Sequence, residues 1–117
     1  MSPEDRKEWL QERYERISNL ILAKAQNEVR LIAVTKGLGV EAINVAKDLG
    51  IKDFGENYAQ ELLEKEALVS EDINWHFIGQ IQSNKIRKVS HVVSTWHSAT
   101  SIKIAKEIHK RNEGVSI

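Results

Sequence analysis

The lysine at position 36 is the residue whose type and placement most directly suggest chemistry. It follows the short apolar run Leu31–Val34 and precedes the segment Gly37–Gly39. In parallel α/β folds, ligands and catalytic groups gather at the C-terminal ends of the strands. An amine kept from bulk water has a lowered pKa and can form a Schiff base with an aldehyde. The alternative interpretation is a lysine that leaves the core with its ammonium in water, and position alone favours it.

Two further polar side chains are predicted near the strands that follow. Asn57 lies just past the second strand, where its amide could bind a ligand or cap the next helix. His76 lies in the third strand, where a core histidine satisfied by backbone groups is the simpler alternative. The four histidines show no metal-ligand spacing and the chain has no cysteine, so we expect neither a metal site nor sulfur chemistry.

The elements that must position these side chains alternate along the chain. Ser2, Pro3 and Asp5 predict the start of an amphipathic helix over residues 3–26. Strands are predicted at Leu31–Val34, Ile51–Gly55, Trp75–Gly79 and His91–Trp96, with the start of a fifth at Val115–Ile117. Helices are predicted from Ala42 to Leu49, from Tyr58 to Val69, from a Ser83 cap to Val89, and after a cap at Ser98 or Ser101. In the helix over Tyr58–Val69 the residues expected to face inward are Ala59, Leu62, Leu63 and Ala67.

This order of elements predicts a parallel sheet with right-handed crossovers, as in a doubly wound sheet or a (β/α)8 barrel. The predicted strand centres recur at intervals of about 21 residues, whereas a closed eight-unit barrel needs roughly 200 residues or more. We therefore expect residues 1–117 to form the N-terminal half of a (β/α)8 barrel, truncated and belonging to a single domain, with a leading amphipathic helix.

The balance of positive and negative charges argues against two classes of binding partner. The chain carries 17 Lys and Arg against 17 Asp and Glu, so its formal net charge is zero. This argues against binding to nucleic acid through many phosphate contacts and against a polybasic membrane-surface protein. The acidic N-terminus is unlike a secretory signal, and no apolar stretch is long enough to span a bilayer. We expect a cytoplasmic protein.

Four ordered segments of the sequence resemble the pyridoxal phosphate homeostasis proteins. They are Leu31–Lys36, Asp53–Tyr58 with Gln60–Leu62, Trp75–Gly79 with Gln82–Lys85, and His97–Ser98. The resemblance spans about residues 5 to 113 and implies a single-domain barrel related to the N-terminal domain of alanine racemase. It also implies that pyridoxal 5'-phosphate (PLP) is held as a Schiff base on Lys36, with Asn57 and His76 as further cofactor-binding residues. Such a protein would carry and buffer PLP in vitamin B6 homeostasis without catalytic turnover.

Two departures from the family pattern keep alternatives open. Where the family usually has a Thr and then a Pro after the lysine, this chain has Gly37–Gly39, which frees the backbone there. By this resemblance, the C-terminal half that supplies the phosphate cup in the family is expected to lie outside residues 1–117. One alternative is the PLP domain of an amino-acid racemase or decarboxylase. Another is a truncated fragment that acts only as an interaction module, self-associating through its open sheet edge.

Overall fold

A computed structural model describes residues 2–35, 39–69 and 72–111 of the 117-residue chain. The described elements are α1 (Pro3–Lys24), β1 (Ala33–Val34), α2 (Val40–Asp48), β2 (Asp53–Glu56), α3 (Ala59–Leu68), β3 (Asn74–Phe77), α4 (Ser83–Val89), β4 (Val93–Trp96) and α5 (Ile102–Arg111). Lys36 and the fifth strand predicted at Val115–Ile117 lie outside the described residues.

The strands form one parallel sheet in the order β1-β2-β3-β4. Ala33 is opposite Phe54, Phe54 is opposite Trp75, and Phe77 is opposite Trp96. Strands that are consecutive in the chain are therefore neighbours in space, and a helix links each pair. This arrangement confirms the predicted parallel α/β architecture, and its consecutive strand order is that of a (β/α) barrel rather than of a doubly wound sheet.

The core lies between the sheet and the helices. Phe54 and Trp75 have ring centroids 6.2 Å apart, and those of Phe77 and Trp96 are 5.4 Å apart. These rings pack with buried aliphatic side chains, which are Ile43, Ala46, Leu62, Ile81, Ile86, Val89, Val93 and Ile108. Because side chains alternate along a strand, the residues between these aromatics point to the opposite face of the sheet. The structure describes no helix on that face, which is called the helix-free face below.

Helix α1 begins as the sequence predicts. The hydroxyl of Ser2 accepts a hydrogen bond from the backbone N–H of Asp5 at 3.1 Å, and the Asp5 carboxylate accepts one from the N–H of Ser2 at 3.4 Å. This capping box satisfies two of the backbone donors that a helix N-terminus leaves without partners. The helix ends at Lys24 rather than 26, because Ala25 adopts an extended backbone.

The predicted inward face of α3 is partly wrong. Ala67 is exposed, whereas Lys65, which a hydropathy pattern places in water, is buried. In an α-helix Lys65 lies about 60° around the axis from the buried Leu62, and Ala67 lies about 140° away. Lys65 therefore points to the sheet, and its charge is compensated there by the partners described below.

Two predicted helix caps have different outcomes. Ser83 is the first residue of α4 and caps nothing, since Gln82 occupies the cap position without a side-chain hydrogen bond. At α5 the hydroxyl of Ser101 accepts a hydrogen bond from the N–H of Ile104 at 3.2 Å. Ser98 instead donates to the carbonyl of Ile78 at 3.3 Å, so it ties the end of β4 to the end of β3.

None of the helices in the part of the chain that the structure describes is both long and apolar enough to cross a membrane.

Candidate functional site

The C-terminal ends of the four strands meet at one edge of the sheet. Parallel pairing continues one residue beyond β1, β3 and β4 through three backbone hydrogen bonds: Thr35 N–H to Gly55 O at 3.2 Å, Ile78 N–H to Glu56 O at 3.0 Å, and His97 N–H to Phe77 O at 3.0 Å. This pairing fixes where the following loops begin. Each of the four ordered segments that carried the family resemblance has a described residue at this edge: Thr35, Glu56, Ile78 and His97.

A buried polar cluster lies at the ends of β1 and β2, on the helix side of the sheet. The Glu56 side chain has no solvent exposure, and its Oε1 accepts from the Thr35 hydroxyl at 2.7 Å and from Lys65 Nζ at 2.5 Å. Lys65 Nζ also donates to the backbone carbonyl of Thr35 at 2.6 Å and to Glu61 Oε1 at 2.8 Å. All three N–H donors of the ammonium are therefore used.

This cluster ties the end of β1 to α3. Thr35 is held through both its side chain and its carbonyl, and it directly precedes Lys36 in the sequence. Oε2 of Glu56 is buried and has no hydrogen-bond partner among the described residues. A buried ammonium and carboxylate need compensating bonds, so geometry here is tightly specified.

Asn57 follows β2 and is half-buried. The alternative that it caps the next helix is wrong: Tyr58 occupies the cap position of α3, and no side chain bonds there. Within the described residues the Asn57 amide makes no hydrogen bond, which leaves both its donor and its acceptor available. Its backbone is fixed instead, because a Cβ on Gly79 would lie only 2.1 Å from the Asn57 carbonyl oxygen. Only glycine permits this approach of the loops after β2 and β3.

His76 is buried, with 2% of its side chain exposed. Its Nε2 lies 2.8 Å from Oδ1 of Asp53, and its Nδ1 lies 2.9 Å from Nε2 of His97. The alternative that backbone groups satisfy this histidine is therefore wrong, since both ring nitrogens contact side chains. Its strand register with Gly55 and Thr95 places it on the face without helices.

His97 lies just after β4, and its side chain is exposed. Partial burial, and then the neighbouring His76, hold the pKa of His97 below its ordinary value. Both causes disfavour the charged imidazolium. His97 therefore stays neutral to a lower pH than a free histidine.

The sequence interpretation missed Asp53, Glu56 and Lys65 as site residues. Asp53 and His76 lie about one βα unit apart, a signal that could have suggested neighbouring strands. The sequence spacing of Glu56 and Lys65 does not predict their contact, because the contact depends on how α3 is rotated about its axis relative to the sheet. In the described ranges no group of three or more acidic, histidine or cysteine side chains is arranged to hold a metal ion.

No family model matches the chain, but individual curated proteins and solved structures do. A pyridoxal phosphate homeostasis protein of Synechocystis sp. is 43% identical over 104 residues, which cover 81% of this chain and 48% of the relative. The protein of that name from Pseudomonas aeruginosa is 43% identical over 84 residues, covering 71% of this chain and 36% of its own.

Solved structures also match this chain in fold. PipY of Synechococcus elongatus, in a structure with PLP bound, matches with a TM-score of 0.73 and 35% identity over 83% of this chain and 46% of PipY. A structure described as an unknown protein from Bifidobacterium adolescentis matches with a TM-score of 0.70 and 32% identity, over 93% of this chain and 49% of that protein's chain.

The fold and the strand-end site thus define the first part of a parallel (β/α) barrel. The resemblance to the pyridoxal phosphate homeostasis proteins is confirmed, because in sequence and in fold the chain corresponds to the N-terminal part of that family's proteins. The chain covers about half of the Synechocystis relative and of the solved structures, and about a third of the Pseudomonas aeruginosa relative.

Proposed function

We propose that this chain binds PLP as part of vitamin B6 homeostasis, with the cofactor held as a Schiff base on Lys36. The support is the name shared by its relatives and the PLP bound to PipY. We further propose that residues 1–117 form part of one PLP-binding barrel domain and act in the cytoplasm. The chemistry that PLP supplies is its aldehyde, which condenses with a lysine amine to form a C=N bond and release one water molecule.

The observation that carries the proposal is the anchoring of the residue before Lys36. Lys65 Nζ lies 2.6 Å from the carbonyl oxygen of Thr35, and the Thr35 hydroxyl lies 2.7 Å from Glu56. A reactive amine needs a rigid element beneath it, since loss of position by about 1 Å costs binding and reactivity.

Asn57 and His76 fit the same role. The Asn57 amide has no protein partner within the described residues and lies at the strand-end edge, so we propose that it hydrogen-bonds a polar substituent of the cofactor ring. His76 is held by Asp53 and His97, and we propose that it forms one wall of the pocket. The Asn57 side chain is half-buried, so its amide is both partly shielded from water and open to a ligand.

We propose a carrier rather than an enzyme. The family is generally regarded as non-catalytic. A racemase or decarboxylase would also need acid and base groups poised on both sides of the substrate. Racemase-like turnover remains the alternative against which the carrier role is tested.

The test is spectroscopic trapping of the adduct. PLP is added to the protein, the absorbance band of the C=N bond is recorded, and borohydride reduction followed by peptide mapping locates the modified lysine. We expect the reduced pyridoxyl group on Lys36 and loss of the band in Lys36→Ala. Lys52→Ala is the matched control, since Lys52 is exposed at the other end of β2.

An unchanged band in Lys36→Ala, or a pyridoxyl group on another lysine, would contradict the proposed site. Racemisation of an amino acid by the PLP-loaded protein, abolished in Lys36→Ala, would favour the enzyme alternative over the carrier.

A second candidate, self-association, has its own observation. β1 and β4 lie at the two edges of the described sheet, so each has one row of backbone groups without a strand neighbour in the described chain. Unpaired edges are templates for pairing with another strand. We propose that a second copy of the chain can pair at these edges, with or without PLP.

A further inference from the structure

The helix-free face of the sheet carries a chain of three polar side chains. Asp53 at the start of β2, His76 in β3 and His97 after β4 are joined by contacts of 2.8 and 2.9 Å. The chain crosses three consecutive strands and ends at the edge where the strand ends meet. The pairs Gly55–His76 and His76–Thr95 in the strand register hold its middle member in place.

The partners of Asp53 fix the direction of the hydrogen bonds. The carboxylate can only accept, and it also faces two donors, Asn74 Nδ2 at 3.3 Å and an Arg30 guanidinium nitrogen at 3.9 Å. His76 must therefore carry its proton on Nε2. In a neutral His76 this leaves Nδ1 as an acceptor, so the bond to His97 is donated by the Nε2–H of His97.

Because Nε2 of His97 donates to His76, the other ring nitrogen of His97, Nδ1, carries no proton in the neutral ring. A neutral imidazole with its proton on Nε2 has a lone pair on Nδ1. Within the described residues Nδ1 of His97 makes no hydrogen bond, and the side chain is exposed. Its backbone N–H is bound to the Phe77 carbonyl at 3.0 Å, which holds the residue against β3.

We propose that Nδ1 of His97 is a fixed hydrogen-bond acceptor for a hydroxyl or ring N–H of a small molecule bound at the strand ends, and that Asp53 and His76 are positioning residues that set its tautomer. The acceptor role of His97 toward a ligand deepens the proposed function and rests on it. The tautomer of His97 depends only on residues of this chain. The lowered pKa of His97 agrees with a neutral ring, which cannot serve as a cation for a phosphate group.

The direction of these hydrogen bonds determines which ligand groups His97 Nδ1 can bind. An acceptor at this place selects the donor groups of PLP, which are on its ring, and rejects its phosphate, which at neutral pH presents mainly acceptor oxygens. The opposite polarity, with a cationic His76 donating to His97 and a proton on His97 Nδ1, would select an anion instead. The two cases differ in which nitrogen of His97 carries hydrogen.

The first test uses long-range ¹H–¹⁵N correlation spectra of the ¹⁵N-histidine-labelled protein above neutral pH. We expect His97 to be the Nε2–H tautomer, and Asp53→Asn to move its two nitrogen signals towards the average of the two tautomers, because an amide can donate as well as accept. Asp72→Asn, at an exposed carboxylate, is the control and should leave them unchanged. A proton on Nδ1 of His97, or an Asp53→Asn spectrum identical to wild type, would overturn the proposal.

The second test adds PLP or inorganic phosphate to the same labelled protein. We expect PLP to shift the Nδ1 signal of His97 and phosphate alone to leave it in place. A pyridoxyl group trapped on Lys36 with no shift at His97 would overturn the acceptor role while the proposed function stands. A fixed tautomer with no trapped adduct would instead support the hydrogen-bonded chain and overturn the proposed function.

Discussion

At the scale of single residues, the most consequential placement is a lysine that the hydropathy pattern assigns to water. Lys65 is 5% exposed and contacts Thr35, Glu56 and Glu61. Transferring such an ammonium out of water is costly, and the cost is offset only where every N–H finds an acceptor. The main effect of the pair of Lys65 and Glu56 is therefore to hold the end of β1 in one position against α3.

Removing one partner of this pair should be strongly destabilising. In Lys65→Met the Glu56 carboxylate stays buried without its cation, and the Thr35 carbonyl loses a donor. We expect the free energy of unfolding to fall by roughly 3–5 kcal/mol, measured by urea denaturation. If this exceeds the stability of the chain, the variant will be unfolded in buffer by circular dichroism.

The control is Lys106→Met, since Lys106 is exposed on α5 and the exchange of side chains is the same. It should change the free energy of unfolding by no more than about 0.5 kcal/mol. Adding Glu56→Gln to Lys65→Met should recover part of the loss, because the uncompensated charge is removed. Wild-type stability in Lys65→Met would show that the buried pair does not hold the strand end.

At the scale of elements, the loops after β2 and β3 are packed backbone against backbone. Gly79 lies so near Asn57 that an added Cβ would fall 2.1 Å from its carbonyl oxygen and 2.8 Å from its carbonyl carbon. The obstacle is main chain, which cannot rotate away as a side-chain tip can. The position of Asn57 in the candidate site therefore depends on a hydrogen atom at residue 79.

Gly79→Ala should push these two loops apart. We expect a loss of about 1–3 kcal/mol in the free energy of unfolding, the usual cost of overpacking, together with weaker retention of PLP because Asn57 is displaced. The measurements are urea denaturation and PLP absorbance after gel filtration.

Gly55→Ala on the neighbouring strand is the graded control. Its methyl group would meet only side-chain atoms, Ile78 Cδ1 at 3.3 Å and Ile32 Cγ2 at 3.4 Å, which can shift by a few tenths of an ångström. The loss of stability should be smaller than in Gly79→Ala. Equal effects in the two variants would mean that the backbone contact at Gly79 carries no special constraint.

At the scale of the whole molecule, the described chain is an open arc of a barrel. Within the described residues the sheet has edges at β1 and β4. A cavity of about 710 Å³ separates α1 from β1 and α2, and α1 leaves apolar side chains exposed, among them Trp9, Ile17 and Leu20. Open edges and exposed apolar surface both favour association with another chain.

Self-association should therefore depend on protein concentration and on the edge at β4. Sedimentation velocity over a concentration series should show the oligomer fraction rising for the wild-type chain. Thr95→Lys places a charge on the edge strand and should weaken the association about tenfold, equivalent to about 1.4 kcal/mol. Thr100→Lys, in the exposed segment after β4, is the control. A monomer at every concentration would rule out edge pairing.

Local sequence features determined the elements and their order. The capping residues Ser2 and Asp5 predicted the start of α1. The alternation of short apolar runs with amphipathic helices predicted the parallel sheet. These signals are short-range, since capping and periodicity depend on residues a few positions apart. The ordered segments around Lys36, Asn57, His76 and His97 were sufficient to indicate the family.

Only the tertiary structure decided how those side chains are held. Whether Lys65 faces the sheet depends on the rotation of α3, and whether His76 meets Asp53 and His97 depends on strand register. Neither is encoded in local spacing, because each contact joins residues on different elements. The polar chain and the buried ion pair arise from packing, which brings together groups that the sequence keeps about 9 to 30 positions apart.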